Sequence, residues 1–209
     1  MFRHVNLEAL KAARTATEPY PFLVAQDALN KETTPAIAAD FPEIKVPGFF
    51  NAEELKIEGA FAEFLDEIRS REVSAVVSEK LGFNLTDRPK MITIRKLSAA
   101  KDGRIHTDGP SKLATMLFYF NDAWNKDNHA GCLRVLRGPN DFDDMVEEIS
   151  PVVGSVFAFK RTDSSWHGHK PFVGERRVVQ MTWLQSEEDV ARKAQRGRVS
   201  HFLKKILGG

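Results

Sequence analysis

Between Pro89 and Leu184 the chain is a succession of short apolar runs broken by turn residues, and this alternation narrows what it can fold into. Ile92–Leu97, Ala114–Phe120, Cys132–Leu136, Gly154–Phe159 and Val178–Leu184 are rich in β-branched and aromatic side chains, with Gly, Pro, Asn and Asp between them. Runs of that length and make-up read as strands. Upstream the apolar period changes to three and four. Phe61, Phe64, Leu65 and Ile68, then Val73, Val76, Val77 and Leu81, predict two helices, with Gly82 placed to end the second. A helix is expected within 1–18, stopped by Pro19-Tyr20-Pro21, then a strand at Phe22–Ala25. A short helix over Thr33–Asp40 tolerates Pro35 in its first turn. After Trp183, Val190, Val199, Phe202, Leu203 and Ile206 recur among Arg and Lys and predict one or two further helices. The expected architecture is a single domain spanning 1–209. It has mainly helical support at 1–89, a β core at 90–185 and a C-terminal helical segment at 186–209. Such a layout suits a mainly β (α+β) fold, a small barrel or sandwich buttressed by helices on one face.

Composition removes several function classes. A hydrophobic share of 42% with 28% charged residues fits a packed globular domain rather than a disordered chain. Lys plus Arg number 30 against 29 Asp plus Glu, so overall charge gives no reason to expect nucleic acid or a membrane surface. Cys132 is the sole cysteine, which excludes an internal disulfide framework and fits a reducing compartment. No apolar run reaches membrane-spanning length, and the amphipathic N-terminus does not read as a secretory signal. The expectation is a cytoplasmic protein.

Chemistry concentrates in two places. In His106-Thr107-Asp108, a separation of two puts imidazole and carboxylate on one face of extended backbone. A second imidazole from a distant strand, His167 or His169, would complete a 2-His-1-carboxylate set, which leaves adjacent metal positions open and is characteristic of non-haem iron(II) oxygenases. H-x-D alone is a weak signal, since it also arises in solvated loops. The second place is Arg176-Arg177, nine and ten residues after His167, at the start of a β-branched strand. If Trp183 faces inward, the two-residue period carries Arg177 inward with it. An inward guanidinium in an apolar barrel is costly without an anion, and its fork suits a carboxylate. Both arginines lying on a solvated edge is the bland alternative.

The run from 90 to 184 resembles the prolyl-4-hydroxylase-like branch of the iron(II)- and 2-oxoglutarate-dependent oxygenases. The resemblance is carried by GRIHTDGPSKLATMLFYFN (103–121), AGCLRVL (130–136), PVVGSVFAF (151–159) and the segment from Trp166 through Arg177 to Trp183. Ala130 replaces the first glycine of the family's turn and Phe120 an aliphatic residue. The resemblance implies a double-stranded β-helix (jelly roll) and iron ligands at His106, Asp108 and His167. It prefers His167 to His169 because Pro171 follows four residues later. It implies that Arg177, or Arg176 if the register differs, holds the distal carboxylate of 2-oxoglutarate with Tyr119, and that Thr115 lines that pocket. It further implies O2 as co-reactant, ascorbate as a possible reductant, and conversion of 2-oxoglutarate to succinate and carbon dioxide. It implies as well hydroxylation of an unactivated C–H bond on a peptidyl substrate, prolyl included, or on a small molecule. Nucleic acid is an unlikely substrate, because no second downstream arginine stands at the spacing dealkylases use. A cupin-like metal protein without 2-oxoglutarate, or a non-catalytic binding module, are the other readings; the oligomeric state is open. Arg95 or Lys96 can reach the site or lie at the surface. His4, His129 and His201 are expected at the surface, and Cys132 as a small buried apolar residue. The basic stretch from Arg192 to Lys205 reads as a solvated helix face.

Overall fold

A computed structural model describes residues 2–124 and 129–207, with side chains as far as 197. In chain order the elements are α1 (Leu7–Lys11), β1 (Arg14–Ala16), β2 (Phe22–Ala25), α2 (Thr34–Ala39) and β3 (Phe50–Asn51). Two packed helices follow, α3 (Gly59–Arg69) and α4 (Arg71–Leu81). The β core then comprises β4 (Lys90–Ser98), β5 (Lys112–Tyr119), β6 (Leu133–Leu136), β7 (Met145–Ile149), β8 (Val156–Lys160), β9 (His167–Gly168) and β10 (Gly174–Leu184). A single helix, α5 (Glu187–Leu207), closes the chain. Gly82 ends α4 in the left-handed conformation, as the sequence predicts.

The large sheet runs β1-β2-β8-β5-β10-β4-β3 and the small one β7-β6-β9, with every pairing antiparallel. The large sheet is buried on both faces. Ile92, Ile94, Met116, Phe118, Val179, Met181 and Trp183 pack against Phe61, Phe64, Ile68 and Val77 of α3 and α4. On the opposite face Phe22, Leu117, Tyr119, Phe157, Phe159 and Val178 meet Leu133, Val135 and Ile149 of the small sheet. Two facing antiparallel sheets with helices on the outer side make the double-stranded β-helix that the resemblance implied. Burial on both faces also explains why the strands read as continuous apolar runs rather than alternating ones.

The first 89 residues are less helical than expected. α1 is only five residues long, capped where Asn6 Oδ1 accepts from Ala9 N at 3.2 Å. Arg14–Ala16 instead pairs with β2, so 1–89 contributes three strands to the large sheet. His4 is corrected from surface to core: it is fully buried, with Nε2 3.0 Å from Glu63 Oε2. His129 is exposed as expected, beside Glu148. The side chains of His201, Arg198, Lys204 and Lys205 lie outside the described residues.

Candidate metal and anion site

The open mouth between the two sheets is where the chemistry-bearing residues meet. His106 and His167 are joined by a reciprocal backbone bridge, each N–H reaching the other's carbonyl at 3.0 Å. That bridge sets the two imidazoles side by side, ring centroids 4.4 Å apart, with Phe159 packed 4.5 Å from the His167 ring. Asp108, two residues on, turns to the same point. One ligand-type atom from each of His106, Asp108 and His167 lies within 4.8 Å of the others.

The protons are already placed for coordination. Nδ1 of His106 sits 2.8 Å from the Arg104 carbonyl, and Nδ1 of His167 2.8 Å from the Ser165 carbonyl. A carbonyl can only accept, so each Nδ1 carries the hydrogen and each Nε2 offers a lone pair. Asp108 is held from both sides, Oδ1 by Lys112 Nζ at 2.7 Å and Oδ2 by the Thr115 hydroxyl at 2.6 Å. Burial alone would raise the Asp108 pKa, but Lys112, His167 and those hydrogen bonds outweigh it and hold the acid down at about 2. Burial also keeps His167 neutral, its pKa pushed down to about 4 against the pull of Asp108. Two imidazoles and one carboxylate are a donor set suited to iron(II).

The same cavity is lined by polar groups of another kind as well. Arg176 is buried, its Nε donating to the Gly131 carbonyl at 2.8 Å and its guanidinium carbon 5.3 Å from the Tyr119 ring centre. Gly131 adopts φ +77°, and a Cβ there would lie 2.6 Å from the Trp124 ring, so the turn that holds Arg176 requires glycine. Arg176 Nη2, Tyr119 Oη, Arg95 Nε and His169 Nε2 are all buried without a hydrogen-bond partner among the described residues. Arg95, Arg176 and His169 line the cavity together with His106, Asp108 and His167. Burial lowers the Arg95 pKa to about 10; Asp102 opposes this and the like charge of Arg176 adds to it.

Two expectations need correction. Arg177 does share a face with Val179, Met181 and Trp183, but that face packs on the helices, because the sheet is buried on both sides. Arg177 pairs with Glu175 and lies 5.9 Å from the Phe41 ring centre, while Arg176 joins Val178 and Gln180 on the cavity wall. Thr115 does not line the anion end of the cavity; its hydroxyl is committed to Asp108. His169 lies outside the His106–Asp108–His167 group, with Nδ1 on the Lys170 carbonyl at 2.9 Å. Lys112 was not singled out from sequence, although it stands four residues after Asp108. Asn121 also escaped notice: its side chain bonds Pro151 O at 2.5 Å and Arg177 N at 3.0 Å, tying the end of β5 to the start of β10.

No curated protein matches the chain in sequence. Residues 95–185 match the model of the 2OG-Fe(II) oxygenase superfamily. Among solved structures, a Pseudomonas putida prolyl-4-hydroxylase is similar at 16% identity and TM-score 0.57, over 78% of this chain and 92% of that one. A Phytophthora capsici prolyl 4-hydroxylase aligns at 16% identity and TM-score 0.52, over 81% and 65%. The viral collagen prolyl hydroxylase of Paramecium Bursaria Chlorella virus-1, solved with 2OG, aligns at 13% identity and TM-score 0.50, over 79% and 96%. At such identities the structural likeness speaks for the fold, and the matched segment is the one that carries the His-Asp-His group and Arg176.

Proposed function

We propose that this chain, whose residues 95–185 match the 2OG-Fe(II) oxygenase superfamily, is an iron(II)- and 2-oxoglutarate-dependent dioxygenase that hydroxylates an unactivated C–H bond of a peptidyl or amino-acid side chain, with proline the first candidate. The observation that carries the reading is one cavity with two complementary ends. The His106, Asp108 and His167 donor atoms line it together with Arg176, whose buried Nη2 has no partner among the described residues and whose guanidinium lies over the ring of the buried Tyr119 behind the wall. Buried donors without acceptors are rare and costly. A molecule with a chelating keto-acid head and a distal carboxylate would satisfy both ends at once.

His106, Asp108 and His167 would hold the metal, which when bound supplies the oxidising chemistry that couples succinate and carbon dioxide formation to hydroxylation. The chain's own work is geometric. The Arg104 and Ser165 carbonyls fix the imidazole tautomers, and Lys112 and Thr115 fix the carboxylate. Arg176 and Tyr119 would set the distance of the distal carboxylate from the metal, and Phe159 and Leu133 shield the centre from water. Ascorbate would serve as reductant when turnover is uncoupled.

The test is succinate formation from 2-oxoglutarate with iron(II) and air, measured with and without prolyl peptides or free proline. The reading expects succinate above a metal-free control and its loss in His167→Ala. Succinate at the control level under every substrate condition would count against it. Undiminished succinate formation in Arg176→Gln would show that Arg176 is not the group that holds 2-oxoglutarate.

A further inference from the structure

The cavity holds one more cation than a metal-bound 2-oxoglutarate needs. Arg95 projects from β4 on the cavity side of the sheet, opposite Val178 in register. Its flat face lies 4.2 Å from the Phe49 ring centre, and its Nε has no partner among the described residues. Asp102 pairs with the Arg95 Nη2 at 3.6 Å, and the other Asp102 oxygen accepts from the Ala99 N–H at 2.9 Å. Asp102 therefore staples its own loop and faces Nη2, which leaves Nε open toward the cavity.

Position separates Arg95 from Arg176. The β5-β10-β4 order puts Tyr119 and Arg95 on opposite flanks of the strand that carries Arg176. Arg176 is drawn toward the Tyr119 side and the Gly131 turn. Arg95 is drawn toward Phe49 and the 99–104 loop, at the end where β3, β4 and β10 meet their loops. Gly103 of that loop has φ +84° and packs so close that a Cβ would lie 2.3 Å from the His169 ring, so the loop is fitted onto this corner. Charge points the same way. A divalent metal and a dianionic cosubstrate cancel each other, Lys112 offsets Asp108, Asp102 stands against Arg95, and no ion pair among the described residues answers Arg176. One positive charge remains, and at Arg95 it sits on a buried side chain, where it is costly unless answered.

We propose that Arg95, stacked on Phe49, is the receptor for an anionic group on the primary substrate, a carboxylate or a phosphate ester, separate from the Arg176–Tyr119 receptor. This rests on the reading of the site as a 2-oxoglutarate site. The substrate is then an acid: a free amino acid, a peptide terminus or acidic side chain next to the oxidised carbon, or a phosphorylated small molecule.

The experiment has two titrations on protein loaded with manganese(II) as a redox-silent stand-in for iron. In the first, 2-oxoglutarate is titrated into wild type, Arg95→Gln and Arg176→Gln by calorimetry. The expected result is that Arg95→Gln stays within about threefold of wild type while Arg176→Gln loses roughly tenfold or more. In the second, acetate and methyl phosphate are titrated into the 2-oxoglutarate-saturated protein at constant ionic strength, read as a shift in Tm. Wild type should show saturable binding of at least one of them, weakened roughly tenfold in Arg95→Gln and retained in Arg95→Lys, which keeps the charge and controls for folding. Whichever anion wins identifies carboxylate or phosphate chemistry. Equal loss of 2-oxoglutarate affinity in both arginine variants would overturn the proposal by making Arg95 part of the cosubstrate clamp. So would the absence of anion binding to wild type, or binding unchanged in Arg95→Gln. Failure of wild type to bind 2-oxoglutarate at all would instead defeat the underlying functional reading.

Discussion

The two ends of the cavity are built on opposite principles. At the metal end every polar atom that need not touch a ligand already has a partner: both Nδ1 atoms, and both oxygens of Asp108. At the anion end four buried polar atoms have none among the described residues. The first end is preorganised by its own chain, so its geometry should survive without metal. The second carries a desolvation cost that only a ligand relieves. The difference teaches that the metal end is the rigid reference and the anion end selects the ligand.

The comparison is broken most directly by removing a donor. His106→Ala or Asp108→Ala should lower manganese(II) or iron(II) affinity by more than about 100-fold, because loss of an outer-shell partner alone costs 10–100-fold. Equilibrium dialysis of the two variants checks this, and metal binding equal to wild type would show that the cluster is not the site. Thr115→Val removes only the hydroxyl that holds Asp108 Oδ2 and nearly preserves volume. Its metal affinity should fall by roughly tenfold, with the fold retained by circular dichroism.

Acid should act on the preorganised end first. The pKa of His167 is pushed down to about 4 and that of His169 to about 3, both mainly by burial, from an ordinary 6.5. The unfolded chain therefore binds more protons than the folded one below 6.5. The stability tied to neutral histidines is fully present above pH 6.5 and is lost as pH falls through about 4 and then about 3. Melting of metal-free protein between pH 7 and 4 should show a falling Tm; a flat profile would mean that these rings are hydrated rather than buried. The smallest effect is expected at Arg177→Gln, where the side chain pairs with Glu175 outside the cavity. Its 2-oxoglutarate affinity should stay within about threefold of wild type.

What the sequence made legible follows the same divide. The H-x-D pair and the second histidine were readable because ligand spacing on extended backbone is a local property, and the structure brings those three residues together. Strands β4, β5, β6, β8 and β10 were readable from composition, whereas β7 was not. Met145–Ile149 carries Glu147 and Glu148, whose partners Arg14 and Arg134 lie on other strands, Arg14 at the far end of the sequence. β9 is two residues long, and its existence depends on β6 rather than on its own residues. The choice between Arg176 and Arg177 could not be made by parity from Trp183, since a sheet buried on both faces has two interiors. Lys112, by contrast, sits four residues from Asp108 and was within reach of a local reading.

The central claim is that the preorganised metal end and the unsatisfied Arg176–Tyr119 end act on one molecule. Titration of 2-oxoglutarate into manganese(II)-loaded and metal-free protein, each as wild type and Arg176→Gln, tests it. The account predicts tight binding only where metal and Arg176 are both present, with each single loss costing roughly tenfold or more. Binding that needs the metal but is indifferent to Arg176 would contradict it.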